Sequence, residues 1–218
     1  PASRLGSTGA RLRGVLWLSG AVALAATLGL VADELLDWRK EEAIVALASG
    51  GAAVASAAAW LVSRHVLQQV GTVAALLFLA YSGTWLATDS AIWSGLAVWG
   101  VGVVWFVLAL PGILPRRSGA ALGAISATIG GWFLFEEQNW GTLFSLGTAV
   151  ALVAVAVLRR ELAVLGIGSV GTLIALPFAV EEYFPGVLPA ALSLVVGGLA
   201  LVVIAILTAR RRRDTPAA

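Results

Sequence analysis

Two pairs of adjacent glutamates are the residues in this sequence whose type and spacing best suit chemistry. Glu136 and Glu137 lie in "FEEQNW", and Glu181 and Glu182 lie in "VEEYFPG". Each pair follows a long apolar stretch, so we expect the two pairs at equivalent turns. Four converging carboxylates would offer the oxygen ligands that Ca²⁺ and other hard cations take, and they would also attract a basic partner. These residues form our candidate docking or cation site, although topology alone also favours acids at such turns.

The composition excludes several other kinds of site. The sequence has no cysteine, which excludes disulfides, thiol catalysis and thiolate metal sites. His65 is the single histidine, so one chain cannot build a multi-histidine metal site or a bis-histidine haem site. Lys40 is the single lysine and is predicted outside the membrane, which excludes a retinal Schiff base. We therefore predict no catalytic residue, no metal, no cofactor and no nucleic-acid partner.

The remaining polar groups of the apolar stretches are hydroxyls. "GIGSVG" at 166–171 matches a dinucleotide fingerprint only formally, because it lies inside a predicted membrane helix instead of following a strand. Serine and threonine hydroxyls in such helices bond to backbone carbonyls or across helices, and a polar substrate path lined by them is the alternative. The residues concerned are Ser56, Ser82, Thr84, Ser94, Ser126, Thr128, Ser145, Thr148, Ser169, Thr172 and Ser193.

The overall composition is that of an integral membrane protein. The chain is 60% hydrophobic and 12% charged, with a mean hydropathy of +0.95, whereas soluble domains are about 45 to 50% apolar and about 25% charged. A membrane-spanning helix needs about 20 apolar residues. Eight runs qualify, at 14–32, 43–62, 68–87, 91–110, 118–135, 140–158, 162–180 and 187–208. We therefore predict an amino-terminal arm at 1–13, an eight-helix transmembrane domain at 14–208 and a basic tail at 209–218.

The charged residues sort onto alternate sides of these eight spans. Twelve of the fourteen basic residues fall on one side, namely Arg4, Arg11, Arg13, Arg64, Arg116, Arg117, Arg159, Arg160 and Arg210 to Arg213. Ten of the twelve acids fall on the other side, and Glu161 and Asp214 are the exceptions. Basic residues in short loops mark the cytoplasmic side, so both termini are predicted to be cytoplasmic. The run Arg210, Arg211, Arg212, Arg213 can also contact anionic membrane lipid.

A repeated spacing suggests four helical hairpins. Each odd-numbered span begins with an arginine, has a glycine seven residues later and ends at an acid. The four sets are Arg13, Gly20, Asp33; Arg64, Gly71, Asp89; Arg116, Gly123, Glu136; and Arg159, Gly166, Glu181. We interpret these glycines as close-packing positions between helices. The predicted fold is all-α and polytopic, with eight transmembrane helices as four hairpins in parallel repeat.

The second half of the sequence resembles a group of uncharacterised multi-spanning membrane proteins common in actinobacteria. The resemblance covers Val98 to Arg213 and depends on "LPRR", "LRRELAVLGIGSVG" and "FPGVLPAALSLVVGGL". The family has no established activity, so the resemblance implies no catalytic or binding residue. It agrees with the arginine-rich, alanine-rich composition in indicating a bacterial plasma membrane protein.

These observations leave two main hypotheses for function. No predicted span has an ionisable residue near its centre, and the loops are too short for a soluble domain. We therefore expect a non-enzymatic accessory or scaffold subunit of a larger membrane assembly, with a protein partner in the membrane. The alternative is a transporter or channel for a small solute or ion, with an acidic external vestibule. An intramembrane enzyme is a third reading.

Overall fold

The computed structural model describes residues 2–34, 41–63, 66–135, 139–183 and 187–213, and these residues form helices joined by short turns. Eight α-helices lie in the described ranges, which contain no strand. They are α1 (Ala2–Glu34), α2 (Glu41–Ser63), α3 (Val66–Thr88), α4 (Ala91–Ala109), α5 (Arg116–Trp132), α6 (Asn139–Arg159), α7 (Leu162–Tyr183) and α8 (Val187–Arg213). The all-helical class and the eight predicted helices are confirmed.

Six of these helices are long and apolar enough to cross a membrane. The six segments are Gly14–Glu34, Glu41–Val62, Val66–Thr88, Ala91–Ala109, Trp140–Arg159 and Leu162–Tyr183. Helix α5 has only 17 residues and four glycines in its sequence, and the apolar segment found for α8 is Ala191–Ile204. For α5 and α8, crossing the membrane stays a prediction. The predicted sidedness and the repeat also stay predictions.

The connections between helices use backbone conformations that stop a helix abruptly. Asp89 and Arg160 have positive φ angles of 51° and 58°, and Gly112 has a φ of 86°. The Glu161 backbone N–H donates to the Ala156 carbonyl at 3.0 Å, which together with the left-handed Arg160 ends α6 in a Schellman-type cap. Such caps satisfy terminal carbonyls and let the next helix begin within one or two residues.

The chain divides into two compact units, Pro1–Val101 and Gly102–Ala218. In the first unit α1, α2 and α3 pack on one another. The Gln68 amide on α3 donates to the Gly14 carbonyl on α1 at 3.0 Å, so these two helices have their amino-terminal halves side by side. Gly71 lies one turn further on, where an added Cβ would be 2.9 Å from the Leu18 side chain. This glycine therefore permits a close α1–α3 approach.

The second unit is built around α5, a helix made largely of small residues. Its buried positions include Gly119, Ala120, Gly123, Ala124, Ser126, Ala127, Thr128, Gly130 and Gly131. A Cβ on Gly123 would contact the Phe106 backbone of α4, with the Phe106 Cα at 2.7 Å, and a Cβ on Gly102 would lie 2.8 Å from the Ala127 Cα. Helices α4 and α5 therefore touch through their backbones, which is a common mode of helix packing in lipid.

The packing role predicted for the repeated glycines is correct for only two of the four. Gly71 and Gly123 lie at close helix contacts, whereas a Cβ on Gly20 or Gly166 would meet no atom of the described residues within 4 Å. The prediction is therefore wrong for Gly20 and Gly166 within one chain. The seven-residue spacing places the four glycines at the same level of their helices. It contains no information about which face of each helix packs on a neighbour.

Candidate functional site

The predicted acidic site is described only in part. Glu181 and Glu182 lie in the last turn of α7, where both are exposed. The Thr142 hydroxyl of α6 donates a hydrogen bond to a Glu182 carboxylate oxygen, so the start of α6 and the end of α7 are adjacent. Glu136 and Glu137 lie outside the described residues. Within the described ranges no group of three or more His, Cys, Asp or Glu side chains is placed to hold a metal ion.

The opposite end of the second unit has a cluster of arginines with one acid. The Arg116 guanidinium forms a salt bridge with Glu161, with Nε and Oε1 3.1 Å apart. Arg159 lines the same small cavity as these two residues. Arg117 and Arg160, which directly follow Arg116 and Arg159 in the sequence, are exposed. We call these five residues the arginine cluster. Glu161 is one of the two acids that do not follow the predicted charge sorting. Its carboxylate pairs with Arg116, one of the basic residues predicted on the same side of the membrane.

The carboxyl-terminal arginines lie at the end of α8. The backbone of α8 continues as a helix to Arg213. The side chains of Arg210, Arg211, Arg212 and Arg213 lie outside the described residues, so their predicted contact with lipid stays a prediction.

Many of the buried and half-buried hydroxyls donate to backbone carbonyls, one of the two uses predicted for them, whereas the buried Ser94 hydroxyl has no partner among the described residues. Each of the bonded hydroxyls donates to the carbonyl four residues earlier, which satisfies the hydroxyl donor within its own helix. In the first unit Ser49 donates to Val45, Thr72 to Gln68 and Ser82 to Phe78. In the second unit Ser126 donates to Leu122, Thr128 to Ala124, Thr148 to Phe144 and Thr172 to Gly168.

Two adjacent buried amides were missed by the sequence reasoning. Gln68 is 1% exposed and Gln69 is fully buried at 0%. The Gln68 Nε2 group reaches the Gly14 carbonyl, while its Oε1 atom is buried and has no hydrogen-bond partner among the described residues. The available signal was "LQQV" within an otherwise apolar span, because an uncharged polar pair near a helix start often bonds a neighbouring helix in lipid.

A cavity is described in each unit, and both cavities are lined mainly by apolar side chains. In the first unit a cavity of about 370 Å³ lies among α1, α2 and α3. In the second unit a cavity of about 500 Å³ lies between α5 and α7, and we call it the α5–α7 groove. It is lined by Ile125, Thr128, Ile129, Trp132, Leu162, Ala163, Gly166, Ile167, Val170 and Gly171. Its one hydroxyl, on Thr128, already donates to the Ala124 carbonyl.

The tryptophans differ in their surroundings. Trp93 and Trp140 are exposed, which agrees with a position at a membrane boundary. Trp60 is only 8% exposed and belongs to the core. Trp132 lines the α5–α7 groove, and its indole nitrogen is buried without a partner among the described residues.

Comparison with known proteins gives no relative. No protein-family model, no curated protein and no solved structure matches the chain. The similarity to uncharacterised actinobacterial membrane proteins therefore stays a prediction.

Proposed function

We propose that the chain is a non-enzymatic integral membrane protein that serves as an accessory or scaffold subunit of a larger membrane assembly. We place it in the bacterial cytoplasmic membrane with both termini in the cytoplasm, because basic residues in short loops favour that side.

The hairpin repeat is part of this proposal. Two contacts support it: Arg116 with Glu161 joins the starts of α5 and α7, and Thr142 with Glu182 joins the start of α6 to the end of α7.

The use of the buried hydroxyls is the observation that carries the proposal. A solute path through either unit would need polar groups directed into a cavity. Instead, the hydroxyls of Ser49, Thr128 and Thr172 donate to carbonyls of their own helices. The two cavities are lined mainly by apolar side chains, and their hydroxyls are those of Ser49, Ser56 and Thr128. This arrangement favours a packed structural subunit over a transporter.

The outer face of α8 is the surface that we assign to a partner helix. Among the described residues α8 packs on α7, where Gly197 and Gly198 face Leu176 and Leu173. The opposite face exposes Leu192, Val195, Val196, Leu199, Val202, Val203 and Ile206. These positions recur with the three- and four-residue spacing that lets one helix insert its side chains into another. A second transmembrane helix fits this face.

Site-specific photo-crosslinking in native membranes tests the assignment. A photoreactive amino acid at Val195, which is 68% exposed, should give one adduct of defined mass with a membrane protein. The same amino acid at Val54, which is 72% exposed on α2, is the matched control and should give no such adduct. The adduct partner should also co-purify in fixed stoichiometry in mild detergent.

The transporter alternative makes the opposite prediction. A chain that purifies as a lone monomer, gives equal crosslinking at Val195 and Val54, and moves a solute in proteoliposomes would overturn the scaffold proposal. Solute flux that falls when Gln68 is changed would point to a route through the first unit.

A further inference from the structure

The cavity of the first unit lies where α1 and α3 separate. These two helices touch at the hydrogen bond from Gln68 to the Gly14 carbonyl and again at Gly71. The cavity begins at Gly71 and follows the two helices away from this contact. Its lining includes Val22 of α1 and Phe78 of α3, which are both exposed, so the cavity opens at the surface of the unit. Its volume of about 370 Å³ lies within the roughly 300 to 1,000 Å³ of small-molecule sites.

Small apolar side chains form most of the walls of this cavity. Alanines line it on all three helices, namely Ala21, Ala25, Ala48, Ala52, Ala74 and Ala75. A methyl group makes no hydrogen bond and fills little space, so these walls suit a flat or chain-like hydrocarbon group. A molecule that fills the cavity must therefore be largely apolar.

Ser56 is the polar group at the closed end of the cavity. It is 3% exposed and lines the cavity, and its Oγ atom faces Gly71, where an added Cβ would lie 3.2 Å away. Ser49 also lines the cavity, but its hydroxyl donates to the Val45 carbonyl at 2.6 Å. The Ser56 hydroxyl, by contrast, has no hydrogen-bond partner in the part of the chain that the structure describes. Because an unpaired hydroxyl is costly in an apolar environment, an acceptor on a bound molecule would stabilise it.

The depth of Ser56 restricts the kind of acceptor. Ser56 lies seven residues before the end of α2 at Ser63 and fourteen residues after Glu42, which is about 10 Å and about 21 Å at 1.5 Å per residue. With the apolar segment Glu41–Val62 across a membrane, this hydroxyl lies inside the hydrocarbon layer. The ester carbonyls of phospholipids stay beside the headgroups at the edge of that layer. A quinone has its carbonyl oxygens on an apolar ring, which can enter the hydrocarbon.

We propose that the cavity of the first unit binds the ring of a lipid-soluble quinone, with the Ser56 hydroxyl donating to one quinone carbonyl. The alanine walls contact the ring, and the isoprenoid tail passes between Val22 and Phe78 into lipid. One hydroxyl at a closed end suits a bound molecule of this kind, whereas a solute path would need polar groups along its length. The site goes beyond the scaffold function and does not depend on it.

Native mass spectrometry of the purified full chain, titrated with menaquinone in one detergent, tests the hydrogen bond. Ser56→Ala removes the hydroxyl, and Ser49→Ala is the matched control, because the Ser49 hydroxyl is already used within α2. Loss of one hydrogen bond should weaken menaquinone binding about two- to tenfold in Ser56→Ala, and Ser49→Ala should bind menaquinone as the wild type does. Squalene, an isoprenoid hydrocarbon without oxygen, is the ligand control and should bind more weakly and equally to all three chains.

Space-filling variants test the cavity itself. Ala25→Phe places a ring in the cavity from α1, and Ala26→Phe, at an exposed neighbouring position outside the cavity lining, is its matched control. We expect Ala25→Phe to lose menaquinone and Ala26→Phe to retain it. Ala74→Phe, on the α3 wall, is the second cavity variant if Ala25→Phe fails to fold.

Four results would overturn the proposal. Equal menaquinone affinity of Ser56→Ala and Ser49→Ala would exclude the hydrogen bond to Ser56. Retention of menaquinone by both Ala25→Phe and Ala74→Phe would exclude the cavity as the site. A wild-type chain that binds squalene as tightly as menaquinone, or that binds only phospholipid, would exclude a quinone as the ligand. Conversion of a dimer to a monomer by Ala25→Phe, with no menaquinone bound by the wild type, would assign the cavity to a second copy of the chain.

Discussion

At the scale of single residues, close backbone contact between α4 and α5 depends on glycine. A Cβ at Gly123 would lie 2.7 Å from the Phe106 Cα and 2.8 Å from the Gly102 carbonyl oxygen, and backbone atoms cannot move aside as a flexible side chain can. Gly123→Ala should therefore destabilise the fold by about 1 to 3 kcal/mol through overpacking. Reversible unfolding in mixed micelles measures this change.

Gly147→Ala is the control for the glycine prediction. Gly147 lies on α6, and no atom of the described part of the chain would be within 4 Å of an added Cβ. Alanine there should be neutral or should stabilise by up to about 1 kcal/mol, because alanine favours helix over glycine. Equal destabilisation by Gly123→Ala and Gly147→Ala would show that α4 and α5 do not touch at Gly123.

Gln68 provides a second residue-scale prediction. Its amide N–H donates to the Gly14 carbonyl, 54 residues away in the chain. Gln68→Leu removes this bond and should cost about 0.6 to 1.7 kcal/mol, which are the average and the largest values for interhelical hydrogen bonds in lipid. The measurement is the free energy of unfolding, with Val70→Ala, at an exposed position of the same helix, as the reference substitution. A Gln68→Leu variant as stable as the wild type would contradict the α1–α3 contact.

At the scale of helices, the salt bridge between Arg116 and Glu161 aligns the start of α5 with the turn before α7. The Arg116 side chain is 52% exposed and that of Glu161 is 23% exposed. Solvent screens such a pair, so a double-mutant cycle with Arg116→Gln and Glu161→Gln should give a coupling below about 1 kcal/mol that decreases with salt. A coupling of several kcal/mol that persists in high salt would indicate a pair enclosed by low dielectric.

Most helix boundaries were predictable because lipid requires long apolar helices. Both boundaries of the predicted spans 43–62, 68–87 and 140–158 lie within two residues of the boundaries of α2, α3 and α6, respectively. Helices α1 and α8 extend beyond their apolar runs, to Ala2 and Arg213, because arginine is a good helix former and continues a helix into water. Hydropathy alone cannot place those ends.

Helix α5 and the candidate site show what the sequence pattern could not supply. The predicted span 118–135 ends three residues too late, since α5 stops at Trp132 after Gly130 and Gly131. The burial of Gln68 and the open space at Gly166 depend on which helix face has a neighbour. When every face of a helix is apolar, as in α4 and α7, the hydrophobic periodicity of the sequence hardly indicates which face is buried.

At the scale of the whole molecule, the central claim is that arginine-bearing and glutamate-bearing ends lie on opposite sides of a membrane. The described second unit has Arg117 at the start of α5 and Glu181 at the end of α7, and both residues are exposed. Because the sequence has no cysteine, single cysteines can be introduced without removing any native thiol. This makes sidedness directly measurable in intact cells.

The most direct test is labelling of Arg117→Cys and Glu181→Cys in intact bacterial cells with a membrane-impermeant maleimide. We predict that the cysteine at position 181 reacts in intact cells, whereas the cysteine at position 117 reacts only after the membrane is permeabilised. Equal labelling of both positions in intact cells, or labelling of position 117 alone, would contradict the proposed sidedness.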